Sequence, residues 1–409
     1  MATIILLGTM DTKGIECAFL VEQIQKRGHR TLVIDAGILG EPGLKPDISR
    51  TEVAFAGGTD VADLVAKRDR GEAVTAMSRG ASVVLSRLVT EGQVDGVIAL
   101  GGSGGTAIAT AAMRALPIGF PKVMVSPLAS GNTAPYVDVK DIVMFPSIVD
   151  IAGLNRISRV LLSRAAGAIC GMVEVQITAS ADKPLIVASQ FGNTTPCVDH
   201  ARRILEAAGY EVVVFAAVGT GGRTMESLIA SGMVAGVLDI TTTEWADELV
   251  GGMLAAGPQR LEAAACCGVP AIVSTGCLDM VNFGPPETVP SAFQGRKFYQ
   301  HNSQVTLMRT TSQESYDLGC ILARKLNLST GPVTLLLPLR GNSMIGTSGQ
   351  PFYDPEADQA LRDALKSNLR PDIPVVELDS AINDRLFAEA CARELLKNLE
   401  VAHNGVCGP

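Results

Sequence analysis

Aromatic side chains, histidine and clustered basic residues are all scarce in this chain of 409 residues. Phe, Trp and Tyr make up 4% of it, and there are only four histidines. Acidic residues outnumber basic ones by 42 to 34, which gives a formal charge of −8. Because proteins that bind nucleic acids hold the phosphate backbone with clustered Lys and Arg, this composition argues against a nucleic-acid-binding protein.

Metal-binding and targeting motifs are missing as well. The nine cysteines include no CxxC pair, and no two histidines are spaced as zinc ligands. We therefore expect buried free thiols in a reducing compartment and no zinc site. The chain opens on a strand-like segment instead of a basic and then apolar leader, and it has no apolar run of membrane-spanning length. We expect a cytoplasmic protein that does not interact with a membrane.

Small and aliphatic residues are abundant, with 42 glycines and 47% hydrophobic residues. This balance is typical of parallel strands covered by helices on both faces. The order of elements near residue 4, a strand, a polar turn and a helix, returns near residue 185. The sequence therefore predicts an α/β fold of two Rossmann-like domains, each a mainly parallel sheet with helices on both faces, related by internal duplication.

The polar segment 178–184 marks the predicted boundary between the two domains. We place the N-terminal, nucleotide-binding domain at 1–180 and the C-terminal domain at 184–402, followed by a frayed tail at 403–409. Ligands of open parallel sheets bind beyond the carboxyl ends of the strands, and polar, glycine-rich sequence gathers at those points. This agreement favours a ligand cleft between the two halves.

The most informative motif is the turn Gly101-Gly102-Ser103-Gly104-Gly105-Thr106, which joins an apolar strand to a helix. Glycines let backbone N–H groups approach a phosphate, and a helix start adds unpaired amides and a positive dipole end. The turn predicts a site for a nucleotide or a phosphorylated metabolite, with tight helix packing as the alternative. The motifs GxGxxG and GxxxxGK[ST] are absent, so neither a Rossmann dehydrogenase nor a Walker-type ATPase is indicated.

Other loops of the first half are expected to complete this site. Lys13 lies in a first helical turn, where it opposes the helix dipole and calls for an anionic neighbour, although simple helix capping explains the loop as well. Asp35 stands where dinucleotide folds hold a ribose hydroxyl, or it caps a turn. Outside the glycine turn, the predicted nucleotide-binding residues are Gly8, Thr9, Asp11, Thr12, Lys13, Asp35, Ser126, Ser130, Gly131, Asn132 and Thr133.

Two helix starts in the second half, at 192–195 and 219–223, predict a second anion site with arginine clamps. The residues predicted for it are Gly192, Asn193, Thr194, Thr195, Gly221, Gly222, Arg223 and Arg340.

Two candidate catalytic residues also lie in the second half. Glu244, with Asp247, has the chemistry to hold Mg²⁺ or to act as an acid and base, although carboxylates at helix starts usually serve the dipole. His301 ends the long segment 276–301, which we expect to be an irregular lid. Its polar setting makes it the first candidate for a general acid or base, and a merely exposed histidine is the alternative.

Nine strings spread along the chain carry a family resemblance. They are GTMDTKG at 8–14, LGGSGGT at 100–106, SGNTAPYV at 130–137, VDIAGLNRISR at 149–159, FGNTTP at 191–196, GTGGR at 219–223, DITTTEWADEL at 239–249, LDMVNFGP at 278–285 and RGNSMIG at 340–346. Together they resemble the bacterial Tm-1-like ATP-binding domain family, similar to the tomato mosaic virus resistance protein. The resemblance implies an ATP-binding N-terminal domain, a second Rossmann-like domain and self-association into a dimer or a higher homo-oligomer.

Residues and resemblance together point to an ATP-binding enzyme or regulator that acts on a small acidic or phosphorylated metabolite. Whether Mg²⁺ accompanies ATP stays open. One alternative is a non-catalytic interaction module stabilised by nucleotide. Another is an ATP-independent isomerase or hydrolase of sugar acids that uses His301 and Glu244.

Overall fold

The computed structural model describes residues 1–176 and 182–406, the last two of these by their backbone alone. The chain divides into two compact units, Met1–Ala179 and Ser180–Pro409. Most of the predicted boundary segment 178–184 lies outside the described residues, as do residues 407–409 of the predicted tail. Within the described parts, no helix combines the length and the hydropathy needed to cross a membrane.

The N-terminal unit is built on one parallel sheet of five strands. The strands are β1 (Thr3–Gly8), β2 (Arg30–Asp35), β3 (Gly96–Leu100), β4 (Lys122–Ser126) and β5 (Val143–Pro146), in the spatial order β2-β1-β3-β4-β5. The helices are α1 (Met10–Gln25), α2 (Arg50–Ala56), α3 (Val61–Lys67), α4 (Arg70–Thr90), α5 (Ser103–Arg114), α6 (Ala134–Val137) and α7 (Arg156–Glu174). A 3-10 turn covers Pro127–Ser130.

Strand β1 shows why this sheet forms. Ile5 and Leu7 pack into an apolar cluster on one face, and Ile4 and Leu6 pack into a second cluster on the other face. Successive side chains of a strand point to opposite faces, so a continuous aliphatic run needs cover on both sides. Helices supply that cover, with α4 and α5 on one face and α1 and α7 on the other.

The C-terminal unit repeats this plan with six parallel strands. Numbered along the chain, the strands of the unit are β6 (Leu185–Gln190), β7 (Glu211–Ala216), β8 (Gly236–Thr241), β9 (Ala271–Gly276), β10 (Met280–Phe283), β11 (Phe298–Asn302), β12 (Val305–Arg309), β13 (Val333–Pro338) and β14 (Val375–Leu378). The parallel sheet has the order β14-β13-β9-β8-β6-β7, and β10, β12 and β11 form a separate antiparallel sheet.

Seven helices accompany these strands. They are α8 (Thr195–Ala207), α9 (Thr220–Ala230), α10 (Glu244–Val250), α11 (Ala263–Cys267), α12 (Ser312–Leu326), α13 (Pro355–Asn368) and α14 (Arg385–Val406). Short 3-10 turns cover Gly192–Thr194, Pro286–Thr288, Ser291–Phe293 and Met344–Gly346.

Both parallel sheets share one strand order. In each unit the first strand lies between the second and the third, and the later strands follow outward from the third. The α/β class with two duplicated parallel-sheet units is therefore confirmed. In this doubly wound arrangement the order reverses between the first and third strands, and ligands bind at the carboxyl ends of the strands around that point.

One expectation about an irregular segment is wrong in part. The stretch 276–301, expected to be an irregular lid, contains β10 and most of β11, which both pair with β12, whereas residues 284–297 between these strands form only loops and short 3-10 turns. The frayed tail at 403–409 stays a prediction, and α14 extends to Val406 within the described residues. In that last stretch His403 Nδ1 lies 2.8 Å from the carbonyl oxygen of Leu399, one helical turn back.

Glycine at position 80 is required by the close approach of α2 and α4. A Cβ on Gly80 would lie 1.9 Å from the carbonyl oxygen of Val53, whereas a Cβ on Gly171 of α7 would have nothing within 4 Å. We expect Gly80→Ala to lower the free energy of unfolding by about 1–3 kcal/mol through overpacking. Gly171→Ala should raise it by about 0.5–1 kcal/mol, because alanine is the better helix former.

Urea unfolding of the two variants beside the parent protein measures both effects. Stabilisation by Gly80→Ala would contradict the close approach of the two helices.

Candidate functional site

A cavity of about 800 Å³ opens in the N-terminal unit, at the carboxyl ends of β1, β2 and β3. Its walls come from the loops that follow these strands and from the consecutive helices α3 and α4. Its volume is in the range of pockets that hold small molecules and cofactors, about 300–1,000 Å³. The cavity also lies at the position where doubly wound sheets bind ligands.

The glycine-rich turn forms one wall of this cavity. Gly102 is the N-cap of α5 and has no side chain to cap it, and the first backbone bond of the helix runs from Thr106 N–H to Gly102 O, at 2.8 Å. The amides of Ser103, Gly104 and Gly105 precede that bond, so they have no acceptor among the described residues, as expected of a first helical turn. All three residues line the cavity, which makes this helix start suitable for an anion.

The start of α1 forms a second wall. Thr9 and Thr12 line the cavity, and their hydroxyls lie 2.8 Å apart. Lys13 interrupts the helix with φ −127° and ψ 19°, and its Nζ donates a hydrogen bond to the carbonyl oxygen of Ile151. The ammonium group is therefore held at the edge of the cavity by the backbone next to Asp150, which also lines the cavity.

Asp35 has the second of its two predicted roles, the capping of a turn, instead of an open ribose contact. It is 1% exposed, and its Oδ1 accepts hydrogen bonds from the N–H groups of Met10 and Gly37, both at 2.9 Å. Its Oδ2 accepts from Arg50 Nε at 2.8 Å. Both oxygens are thus occupied in fixing the start of α1, so the ribose contact predicted for Asp35 has no free acceptor there.

The predicted nucleotide-binding residues as a whole fall into two groups. Those that line the cavity are Thr9, Asp11, Thr12, Lys13, Gly102, Ser103, Gly104 and Gly105. Those that do not are Gly8, Asp35, Gly101, Thr106, Ser126, Ser130, Gly131, Asn132 and Thr133. Some of the second group support the turn from behind: the Thr106 hydroxyl donates to Gly101 O and lies 2.7 Å from the Ser126 hydroxyl.

The segment of α3 and α4 was not predicted from the sequence to belong to this site. It contributes Leu64, Val65, Arg68, Arg70 and other residues to the cavity, and a Cβ on Gly104 would lie 3.6 Å from Arg70 Nη2. Neither arginine forms an ion pair within the described ranges. The sequence signal was the pair of arginines around Asp69, which reads equally well as a solvated helix start.

In the C-terminal unit, the helix start predicted to bind an anion binds the chain's own Glu244. The Oε1 of Glu244 accepts from the N–H groups of Gly219 and Gly222, at 2.8 and 3.0 Å. A Cβ on Gly222 would lie 2.2 Å from Oε2, so glycine is needed for the carboxylate to fit. The predicted second anion site at Gly221 and Gly222 is therefore corrected, because an internal carboxylate occupies it.

Arg260 connects Glu244 to two further acids. Its Nε lies 2.7 Å from Glu244 Oε2, and its two terminal nitrogens bind Asp239 at 2.6 and 2.7 Å. Glu226 Oε1 lies 3.1 Å from Nη1. The guanidinium is 1% exposed, so this cluster is enclosed by protein and has a structural role.

The remaining residues of the predicted second site are dispersed within the unit. Thr194 is buried, with its hydroxyl 2.7 Å from that of Thr241, and Arg223 Nη1 donates to Ala255 O. Arg340 is exposed and pairs with Asp379 at 2.5 Å. Gly192 and Asn193 lie in the 3-10 turn before α8, and Thr195 is the first residue of that helix.

The two predicted catalytic residues are in different settings. Glu244 is 1% exposed within the Arg260 cluster, whereas His301 is exposed on β11, an edge strand of the antiparallel sheet. The pairing of β11 with β12 is irregular at this histidine. A shared acid–base role for this pair has no support in the geometry.

Asp247, the partner proposed for Glu244, is fully enclosed. Its oxygens accept from Asn282 N–H at 2.8 Å and Asn282 Nδ2 at 2.7 Å. Burial raises the pKa of Asp247 to about 7, against the opposing effect of these hydrogen bonds.

Fold and cavity together define a two-unit α/β protein of the doubly wound type, with a ligand-sized cavity in its N-terminal unit. Residues 2–178 match the N-terminal domain model of the Uncharacterised protein family (UPF0261), and residues 183–399 match its C-terminal domain model. The chain therefore belongs to this family.

Relatives extend from bacteria to plants. A UPF0261 protein of Clostridium tetani is 51% identical over 97% of this chain and 99% of its own length. The ToMV susceptible protein tm-1(GCR26) of Solanum lycopersicum is 39% identical over 96% of this chain, which spans 55% of the tomato protein. The resemblance to the tomato proteins is thus confirmed as a family relationship.

Among solved structures, a putative UDP-N-acetylglucosamine 2-epimerase from Listeria monocytogenes aligns with 96% of this chain and 90% of its own, at 11% identity and a TM-score of 0.23.

The Arg260 cluster predicts a structural effect for Glu244→Gln. The amide would place its NH₂ group against either Arg260 Nε or the N–H groups of Gly219 and Gly222, so a buried donor loses its acceptor, and we expect a loss of about 2 kcal/mol in the free energy of unfolding. Glu206→Gln is the matched control, because Glu206 forms an exposed pair with Arg202 on α8 and such pairs contribute little. Denaturant unfolding measures both, and equal effects would contradict the role of the cluster.

Asp247 predicts a dependence of stability on pH. The folded protein keeps this carboxyl protonated up to about pH 7, whereas an unfolded Asp releases its proton near pH 4. The contribution of this carboxyl to the free energy of unfolding is therefore largest below pH 4 and falls as pH rises toward 7, by up to about 1.4 kcal/mol per pH unit.

Asp247→Asn should remove that fall, so the variant gains stability relative to the parent between pH 4 and 7, with a constant difference above pH 8. Unfolding free energies measured across this range test it. A difference that does not change with pH would show that Asp247 titrates normally.

Proposed function

We propose that the N-terminal unit binds ATP or a closely related nucleotide in its cavity. The observation that carries the proposal is the uncapped, glycine-rich start of α5, which lines a ligand-sized cavity at the strand-order reversal of the sheet. Backbone amides at such a helix start suit a phosphate group.

Three cationic side chains favour an anionic ligand. Lys13, Arg68 and Arg70 all line the same cavity as the glycine turn, and Arg70 reaches toward Gly104. Arginine binds phosphate through paired N–H groups, which adds orientation to charge. The phosphate-binding end of the cavity thus has both backbone and side-chain donors.

Apolar side chains favour a ligand that also has a flat, weakly polar part. Leu39 is 81% exposed and Val65 is 47% exposed, although both line the cavity. Exposed aliphatic side chains at a cavity mouth gain from being covered by an apolar ring. Ile38, Leu64 and Met77 extend the same lining, so a nucleotide base has a surface to pack against.

The enclosed setting of Glu244 and the exposed setting of His301 remove support from a sugar-acid isomerase or hydrolase that uses this pair. A regulator or interaction module stabilised by nucleotide is the second candidate, since Arg260 engages Glu244, the acid that follows β8, and leaves it no role in catalysis. An enzyme that acts on an acidic or phosphorylated metabolite would place its chemistry beside the phosphates.

Calorimetric titration with ATP, ADP and AMP, with and without Mg²⁺, tests the proposal. Arg70→Ala should weaken ATP binding by about tenfold or more, as expected for a lost charge-assisted hydrogen bond. Arg79→Ala is the matched control, because Arg79 is exposed on the same helix but does not line the cavity. Lys13→Ala should act in the same direction as Arg70→Ala.

The absence of binding heat with every nucleotide would overturn the proposal. Equal losses in Arg70→Ala and Arg79→Ala would show that nucleotide binds elsewhere. Turnover of bound ATP in the same samples separates an enzyme from a protein that only binds.

A further inference from the structure

One carboxylate oxygen of a residue that lines the cavity lacks a hydrogen-bond donor among the described residues. Asp11, the second residue of α1, lines the cavity, and its side chain is 2% exposed. Its Oδ2 accepts from Leu39 N–H at 2.6 Å and lies 3.8 Å from Arg50 Nη1. Its Oδ1 is enclosed and accepts no hydrogen bond from any described residue.

The nearby backbone donors are already engaged. Gly37 N–H donates to Asp35 Oδ1 at 2.9 Å, and Leu39 N–H donates to the other oxygen of Asp11. A Cβ on residue 37 would lie 2.4 Å from Asp11 Oδ1, so glycine at this position leaves the carboxylate its room. Buried carboxylate oxygens are normally satisfied, and an unsatisfied one destabilises the protein unless a ligand supplies the donor.

We propose that Asp11 Oδ1 accepts a hydrogen bond from a ribose hydroxyl, so that the cavity selects nucleotides with an intact sugar. This inference rests on the proposed nucleotide binding. Asp11 and Gly37 lie at the carboxyl ends of the first and second strands, where doubly wound folds bind the ribose. Asp35, expected from the sequence to make that contact, has both oxygens engaged.

A hydroxyl suits this oxygen better than a metal ion does. Mg²⁺ needs an octahedral set of oxygen ligands, whereas Asp11 offers one oxygen and has the guanidinium of Arg50 beside it. A phosphate would be repelled by the carboxylate. A neutral group that carries an O–H donor satisfies Oδ1 without either conflict.

The test compares ATP with 2′,3′-dideoxy-ATP by calorimetric titration of the full chain. The parent protein should bind ATP more tightly by about 10- to 100-fold, the range for a hydrogen bond to a charged acceptor. Asp11→Asn should lower the ratio of the two affinities to a few-fold, because the amide can still accept from Leu39 but presents an NH₂ group in place of Oδ1, so any bond that remains to the hydroxyl joins two neutral groups.

Asp60→Asn is the matched control and should keep the parental ratio. Asp60 is exposed and does not line the cavity, and its Oδ1 caps α3 by accepting from Ala62 N–H at 2.7 Å, which asparagine can also do. Because each ratio is taken within one variant, a general loss of stability cancels.

Equal binding of ATP and the dideoxy analogue by the parent protein would overturn the ribose contact and leave nucleotide binding intact. A parental ratio in Asp11→Asn would overturn the assignment to Asp11. Failure of both ligands to bind would overturn the proposed function and this inference with it.

Discussion

Burial of parallel strands on both faces is the constraint on which the rest of the structure depends. Alternate residues of β1 enter two separate apolar clusters, so neither face can be given to a polar site. Polar groups are left with the ends of the strands, and in a parallel sheet all carboxyl ends meet at one edge. The loops after β1, β2 and β3 therefore gather around one cavity, although many residues separate them along the chain.

The two units differ in what lies beside the unpaired N–H groups of a helix start. A helix start presents unpaired N–H groups that need an acceptor. Ser103 is the third residue after β3 and opens α5 with its amides directed at the cavity, while Glu244 is the third residue after β8 and supplies a carboxylate to the start of α9. Arg260 then balances the acids that this choice buries. The two units thus share one backbone arrangement, but their side chains make one helix start open to a ligand and fill the other with a carboxylate.

Sequence patterns predicted the strands, the duplication and the glycine turn, because each of these depends on local periodicity or on the special geometry of glycine. They did not predict which polar group satisfies which partner. Asp35 at a strand end looks the same in sequence whether it meets a ribose or Arg50. Arg260 lies in a stretch without a motif, yet it determines the role of Glu244. Long-range pairing of this kind depends on the tertiary fold.

The strands within the segment 276–301 also depend on contacts with residues outside it. Its prolines and glycines favour irregular structure, but the partner strand β12 lies beyond its end and supplies the hydrogen bonds that order β10 and β11. The contribution of α3 and α4 to the cavity was not predicted, for a similar reason. Their arginines become informative only when the fold brings them beside Gly104.

The carboxylate of Glu244 at the start of α9 also affects how stability depends on small molecules. A protein whose native state binds a ligand gains stability with ligand concentration, by about 2.7 kcal/mol at 100 times Kd. The helix start of α9 carries its acceptor within the chain, so its contribution is the same at any metabolite level. The start of α5 has no such acceptor among the described residues, so under the proposed nucleotide binding its contribution to stability rises with the nucleotide concentration.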